Sequence, residues 1–139
     1  MDRIESCISF LAGKAAQQIA RRARERLAPH DVTPVQYAIL RVLAERDGQS
    51  GAELSARLLI DSATITGLID RLEGAGLVER QPDPADRRVN RTRLTARARA
   101  LQPALDAAMD ALNAEVAAEL GDRAPELWET LRRLGQPPA

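Results

Sequence analysis

The sequence predicts a mainly α chain in which two short helices and a two-stranded basic hairpin sit between longer helices. Three observations carry that expectation. Apolar residues recur every three or four positions through most of the 139 residues. Helix-start signals fall close together, at residues 50–53 and 61–62. Two short, partly alternating segments, 77–80 and 89–94, flank a loop rich in turn formers and arginine. The length favours a single domain spanning 1–139, and a hydrophobic content of 45% supplies it with a core.

Each element has its own signal. Ile4, Ile8, Leu11, Ala15, Ile19, Ala23 and Leu27 mark an amphipathic helix over about residues 3–28, ended by Pro29-His30-Asp31. Thr33 caps the next helix, Pro34 suits its first position, and Gln36 is placed to complete a capping box. Tyr37, Leu40, Val42 and Leu43 give that helix an apolar face, and Asp47-Gly48 stops it. A second box, Ser50-Gly51-Ala52-Glu53, opens a short helix carrying Leu54 and Leu58. Asp61 or Ser62 caps the following helix, with Ile65, Leu68, Ile69 and Leu72 inward and an exit at Gly74 and Gly76. The two strands come next. Thr95 then caps a long Ala-rich helix with a stripe at Leu101, Leu105, Ala108, Leu112, Val116 and Leu120. Pro103 should either bend that helix or mark its first turn. Beyond Gly121-Asp122 a last helix carries Leu127, Trp128, Leu131 and Leu134.

Composition removes much chemistry. One Cys, Cys7, allows no intrachain disulfide and no thiolate zinc site, and one His, His30, leaves no imidazole cluster. No metal site, no cofactor and no catalytic constellation is therefore expected, so the chain does not read as an enzyme. No run of 18 apolar residues or signal-peptide core is present, which makes a soluble cytoplasmic protein without a membrane partner the expectation. Aromatic residues are only 2%, too few for base-stacking platforms. Formal net charge is +0, yet its distribution is uneven. Residues 79–99 hold seven arginines against three acids, and residues 100–139 hold three against seven. Such asymmetry points to an anionic partner.

Two short helices followed by a basic hairpin describe a winged helix-turn-helix, here over residues 33–95. A helix fits the major groove of DNA, and an arginine-bearing loop can enter the minor groove. Opposite its aliphatic face, the second short helix presents Ser62, Thr64, Thr66, Gly67, Asp70 and Arg71. Small hydroxyl side chains let a duplex come close and can bond bases or phosphates.

At these residues the sequence resembles the MarR-type transcriptional regulators. The likeness is carried by Asp61-Ser62-Ala63-Thr64-Ile65-Thr66-Gly67-Leu68-Ile69-Asp70-Arg71-Leu72-Glu73 and by Gly76-Leu77-Val78-Glu79-Arg80. Its most specific part is Asp83-Pro84-Ala85-Asp86-Arg87-Arg88, followed six residues later by Leu94-Thr95, the D-x-R wing signature with its downstream L-T. It extends over about residues 5–120. The resemblance implies that Asp86 is the structural wing acid, holding the loop through an ion pair with an arginine. It implies that Arg88 enters the minor groove, with Arg87 beside it competing for the role; both are assigned to it. Arg91 and Arg93 would line the strand and touch phosphate. Gly67 departs from the pattern, since many relatives carry a larger polar or basic side chain there.

The same resemblance assigns residues 1–30 and 96–135 to dimerisation helices of a two-fold molecule. The resemblance implies a homodimeric repressor, repression being the family's commoner mode, and its paired reading heads would demand a palindromic operator of double-stranded DNA. Relatives often release DNA when a small phenolic or aromatic acid binds between those helices and the reading head. Here Leu11, Gly13, Ala16 and Gln17 on the first helix, with Tyr37 and Arg41 on the second, would line such a site. His30, in the intervening loop, is a further candidate. Cys7 raises the alternative of a redox-responsive regulator, with Arg3 four residues away to favour its thiolate. A second alternative is a helical protein-interaction module that does not bind DNA.

Overall fold

The computed structural model describes residues 1–138. Its first helix begins later than the apolar spacing predicts. Ile4–Ser6 form a single 3-10 turn, Cys7 is extended, and helix α1 runs over Ile8–Leu27. No side chain caps either start, and Ile4 and Ile8 face solvent, so nothing extends the helix toward residue 3. A 3-10 turn at Ala28–His30 and a left-handed Asp31 lead into α2, Pro34–Glu45. Both halves of the α2 capping box form. Thr33 Oγ1 accepts from the Gln36 amide at 3.2 Å, and Gln36 Oε1 accepts from the Thr33 amide at 3.0 Å.

A two-residue strand, β1 (Gln49–Ser50), precedes α3 (Gly51–Leu58). Only half of the second expected box is made. Ser50 Oγ accepts from the Glu53 amide at 3.1 Å, but the Glu53 carboxylate turns to Arg46 at 2.6 Å. Leu59 closes α3 in the left-handed region, with φ 56°, and α4 follows at Ser62–Gly74. Asp61 is its cap, taking the Thr64 amide at 2.8 Å and the Thr64 hydroxyl at 2.7 Å.

Strands β2 (Val78–Pro82) and β3 (Asn90–Leu94) pair antiparallel, with Arg80 opposite Thr92. The sheet has three strands in the order β1-β3-β2, one more than the sequence predicts. The missed strand is Gln49–Ser50, too short to show alternation, and it lies against Arg91 and Thr92 of β3. Helix α5 (Ala96–Leu120) starts at the Thr95 cap, whose hydroxyl accepts from the Ala98 amide at 3.2 Å. Pro103 therefore lies inside the helix and does not mark its first turn. After a 3-10 turn at Gly121–Arg123, α6 spans Ala124–Leu134. No helix among the described residues is long and apolar enough to cross a membrane.

The buried cluster gathers Leu40, Leu43, Leu54, Ile65, Leu72, Val78 and Leu105, so it lies where α2, α3, α4, the sheet and α5 meet. Burying each such aliphatic side chain contributes about 1.5–3 kcal/mol. Charge joins the outer helices. Arg22 of α1 reaches Glu115 and Glu119 of α5 at 2.7 and 2.8 Å, and Arg26 pairs with Glu115.

Candidate nucleic-acid interface

Helix α4 turns Ile65, Leu68, Ile69 and Leu72 into the core, which leaves Ser62, Thr64, Thr66, Asp70 and Arg71 exposed. Two of its hydroxyls have spent their protons. Thr64 donates to Asp61, and Thr66 Oγ1 donates to the Ser62 carbonyl at 2.9 Å. Toward an outside partner both are acceptors, suited to the exocyclic amines of adenine or cytosine in a major groove. Gly67 is half-buried, and a Cβ built on it would meet nothing within 4 Å. Packing does not require glycine there. Its effect is a shallow recess bounded by Ala63, Thr64, Leu68 and Arg71.

The helix is bolted to the hairpin by Arg80, which sequence patterns alone do not single out. Its guanidinium meets Asp70 at 2.6 Å and Glu73 at 3.0 Å, and donates to the Thr66 carbonyl at 3.3 Å. Its amide donates to Glu73 Oε2 at 3.1 Å. An arginine four residues past Gly76, facing two acids one helical turn apart, was the available signal.

In the loop between β2 and β3, Asp86 makes the ion pair with an arginine that the resemblance implies, and Asp83 adds a buried anchor beneath it. Asp83 is buried; it accepts from the Ala85 amide at 2.7 Å and from Arg91 Nε and Nη2, each at 2.7 Å. The Ala85 amide and the Arg91 guanidinium hold its carboxyl below the usual carboxylate range. Arg91, expected to touch phosphate, is drawn inward instead, its Nη1 donating to the Gly48 carbonyl at 2.9 Å. A buried carboxylate needs a donor more than an exposed backbone does, and Arg91 is the cation on the adjoining strand that reaches it. Asp86 pairs with the Arg88 guanidinium at 3.0 Å and accepts from the Arg88 amide at 3.1 Å, and the Arg88 side chain remains 90% exposed. Arg87 is exposed and has no ion pair among the described residues. Arg93 bonds Gln81 at 3.1 Å and lies over Gly48, whose φ of +70° favours glycine.

The residues expected to hold an effector are only partly brought together. Tyr37 Oη donates to Asp106 Oδ1 at 2.8 Å, and Arg41 Nη1 donates to Asp106 Oδ2 at 2.9 Å. Burial and this carboxylate together push the Tyr37 phenol well above its ordinary value. Gly13 and Gln17 lie on the exposed face of α1, and His30 ends the 3-10 turn, half-buried. Cys7 is half-buried at the start of α1. Arg3, expected to favour its thiolate, bonds Glu5 at 3.3 Å.

Known proteins share this arrangement. Residues 32–89 match the model of the MarR family. The transcriptional regulator HosA of Escherichia coli O111:H- is 32% identical over 103 residues, which cover 74% of this chain and 76% of HosA. The chain belongs to the MarR family. Another relative, the transcriptional regulator TtmR of Methylorubrum extorquens PA1, is 39% identical over 103 residues, covering 74% of this chain. The chain spans about half the length of the first such relatives, 53% in TtmR. Among solved structures, the repressor CouR bound to a 23-mer DNA duplex is 26% identical with a TM-score of 0.85, over 98% of this chain and 97% of CouR. CouR of Rhodococcus jostii RHA1 has also been solved with p-coumaroyl-CoA, at the same identity and TM-score, over 100% of this chain and 99% of CouR. The MarR wing here thus ends in two exposed arginines, and the loop bearing them is tied down by Asp83 and Arg91.

Proposed function

We propose that this MarR-family regulator is a homodimeric repressor that binds a palindromic operator, α4 in the major groove and the wing arginines in the minor groove. The observation that carries this reading is the pairing of an exposed hydroxyl helix with Arg87 and Arg88 at a loop tip whose base is anchored. Ser62, Thr64, Thr66, Gly67 and Arg71 would face the bases and their flanking phosphates. Arg88 would exchange Asp86 for the minor groove, and Arg87 enters beside it or contacts phosphate. Asp86 then screens the wing until DNA arrives, while Arg91 positions it from within.

Residues 33–95 act as the reading head in this scheme, and 1–30 with 96–135 as dimerisation helices. Support for the dimer comes from the exposed Ile4, Ile8, Leu11, Leu131 and Leu134 at the two ends of the chain. Release by a small aromatic acid is part of the reading. Its carboxylate would compete with Asp106 for Arg41 and Tyr37, a junction that ties α2 to α5.

Fluorescence anisotropy on duplexes from the upstream intergenic region tests the scheme. Binding of two subunits per palindrome is expected, falling steeply with salt as counterions are released. Binding that ignores salt, or that survives replacement of both Arg87 and Arg88 by Ala, would send the protein to the protein-interaction class. A panel of aromatic acids, scored by operator release, tests the effector.

A further inference from the structure

Helix α4 is acidic for a helix that enters a groove. Between Ser62 and Gly74 it carries one cation, Arg71, against two acids, Asp70 and Glu73. Both acids are exposed. Glu73 also sits in the last turn, where the helix dipole disfavours an anion. A DNA duplex carries one phosphate charge for about every 1.7 Å of its axis, so unpaired carboxylates on this face would oppose its approach.

Both acids converge on Arg80, whose side chain is only 22% exposed. Its Nη2 reaches Asp70 at 2.6 Å, and its Nη1 reaches Glu73 at 3.0 Å. Nη2 also donates to the Thr66 carbonyl at 3.3 Å. Residues 66, 70 and 73 follow one edge of α4, at spacings of four and three, so a single guanidinium covers that edge. Strand β2 holds Arg80 in place, opposite the buried Thr92. Solvent-facing ion pairs add little to folding stability. The effect of this cluster is on the field that α4 presents. With Arg80 counted, the face holds two cations against two anions, Arg71 and Arg80 against Asp70 and Glu73.

We propose that Arg80 is a positioning residue for operator binding: by cancelling the charge of Asp70 and Glu73, it lets α4 lie against the phosphates that flank the major groove. Arg80 itself touches no DNA in this scheme and acts through the two acids. Its backbone amide, donated to Glu73 Oε2 at 3.1 Å, ties the helix to the hairpin whatever side chain follows. Arg71, exposed and without an ion pair among the described residues, is left as the cation that α4 offers to the duplex. The inference rests on the operator reading.

Anisotropy titrations of the full chain on upstream intergenic duplexes, at about 50 and 200 mM salt, test the role. Arg80→Gln should weaken binding about tenfold at the lower salt and by less at the higher, because added ions screen the two uncovered carboxylates. Adding Asp70→Asn and Glu73→Gln to Arg80→Gln should bring affinity back to within about threefold of the parent, since the charge that Arg80 cancels is then gone. A helix that was merely displaced would stay weak in the triple variant and would lose as much at both salts. Asp70→Asn with Glu73→Gln in the parent keeps acceptors for Arg80 but frees its charge. Severalfold tighter binding with a steeper salt slope is expected there, an independent check if Arg80→Gln fails to fold. Undiminished binding by a folded Arg80→Gln chain, no recovery in the triple variant, or unchanged affinity in the Asp70→Asn, Glu73→Gln chain overturns the inference and leaves the operator reading standing. A parent chain that binds none of the duplexes overturns the operator reading, and this inference with it.

Discussion

From Val32 to Leu94 most large aliphatic side chains point inward, Leu59 and Val89 excepted, and Leu40, Leu43, Leu54 and Leu72 are fully buried. At the chain's two ends the pattern reverses. Ile8 of α1 is 75% exposed and Leu134 of α6 is 72% exposed, while α6 buries only Ala124. The middle also settles its charges internally, through Arg80 with Asp70 and Glu73 and through Arg91 with Asp83. The difference separates two kinds of stability. One region is completed by its own side chains, and the other has apolar stripes that a single copy does not cover. A core completed within one chain, beside exposed apolar flanks, is what the proposed dimeric DNA reader would require.

The sharpest way to break this comparison is to truncate an aliphatic residue in each region. Leu54→Ala should cost about 2–5 kcal/mol in urea unfolding, because a fully buried leucine leaves a cavity. Ile8→Ser with Leu134→Ser should change the unfolding of a single subunit by no more than about 0.5 kcal/mol. The same double variant should raise the concentration at which subunits dissociate, read by light scattering after size exclusion. Equal unfolding penalties in the two regions would erase the distinction.

The wing offers a finer comparison, between side chains that reach outward and those that anchor. Arg87→Ala with Arg88→Ala should weaken operator binding about a hundredfold and flatten its salt dependence, since fewer phosphates are neutralised and fewer counterions leave the duplex. Asp83→Ala removes no outward charge, yet it strands Arg91 and the Ala85 amide. About tenfold weaker operator binding is expected, with a salt slope close to that of the parent chain. If Asp83→Ala instead steepened that slope, the freed Arg91 would be contacting phosphate.

Most of the architecture was legible because helices announce themselves locally. The Thr33, Asp61 and Thr95 caps and the inward face of α4 follow from spacing and cap chemistry alone. What was hidden depends on partners distant in sequence. β1 exists because Gln49 and Ser50 lie against β3, a pairing 41 to 43 residues away. Glu53 abandons its capping box for Arg46. In the wing, the motif gives the Asp86–Arg88 pair, but nothing local shows that Asp83 is buried beneath it and holds Arg91. Tyr37 and Arg41 lie one turn apart on α2, and nothing local shows that Asp106, more than sixty residues on, occupies both.

The smallest expected effect lies at the cap of α4, where the central unit meets its outward face. Asp61 is exposed, and the Thr64 amide and hydroxyl hold its carboxyl below the ordinary value. Asp83 and Asp86 are displaced in the same direction, by the Ala85 amide and by Arg88 respectively. A carboxyl depressed in the folded chain contributes stability above its unfolded value of about 3.9 and loses it as pH falls through the folded value. The melting temperature should therefore hold near neutrality and drop below about pH 4. Asp61→Asn keeps an acceptor for the Thr64 amide, so it should melt within a degree or two of the parent at pH 7 and lose less on acidification. Asp61→Ala removes the cap and should melt a few degrees lower at neutral pH. Identical acid profiles for the parent and Asp61→Asn would assign the low-pH loss to the other depressed carboxyls, Asp83 and Asp86 in the wing and Glu115 beside Arg26 and Arg22, and not to the α4 cap.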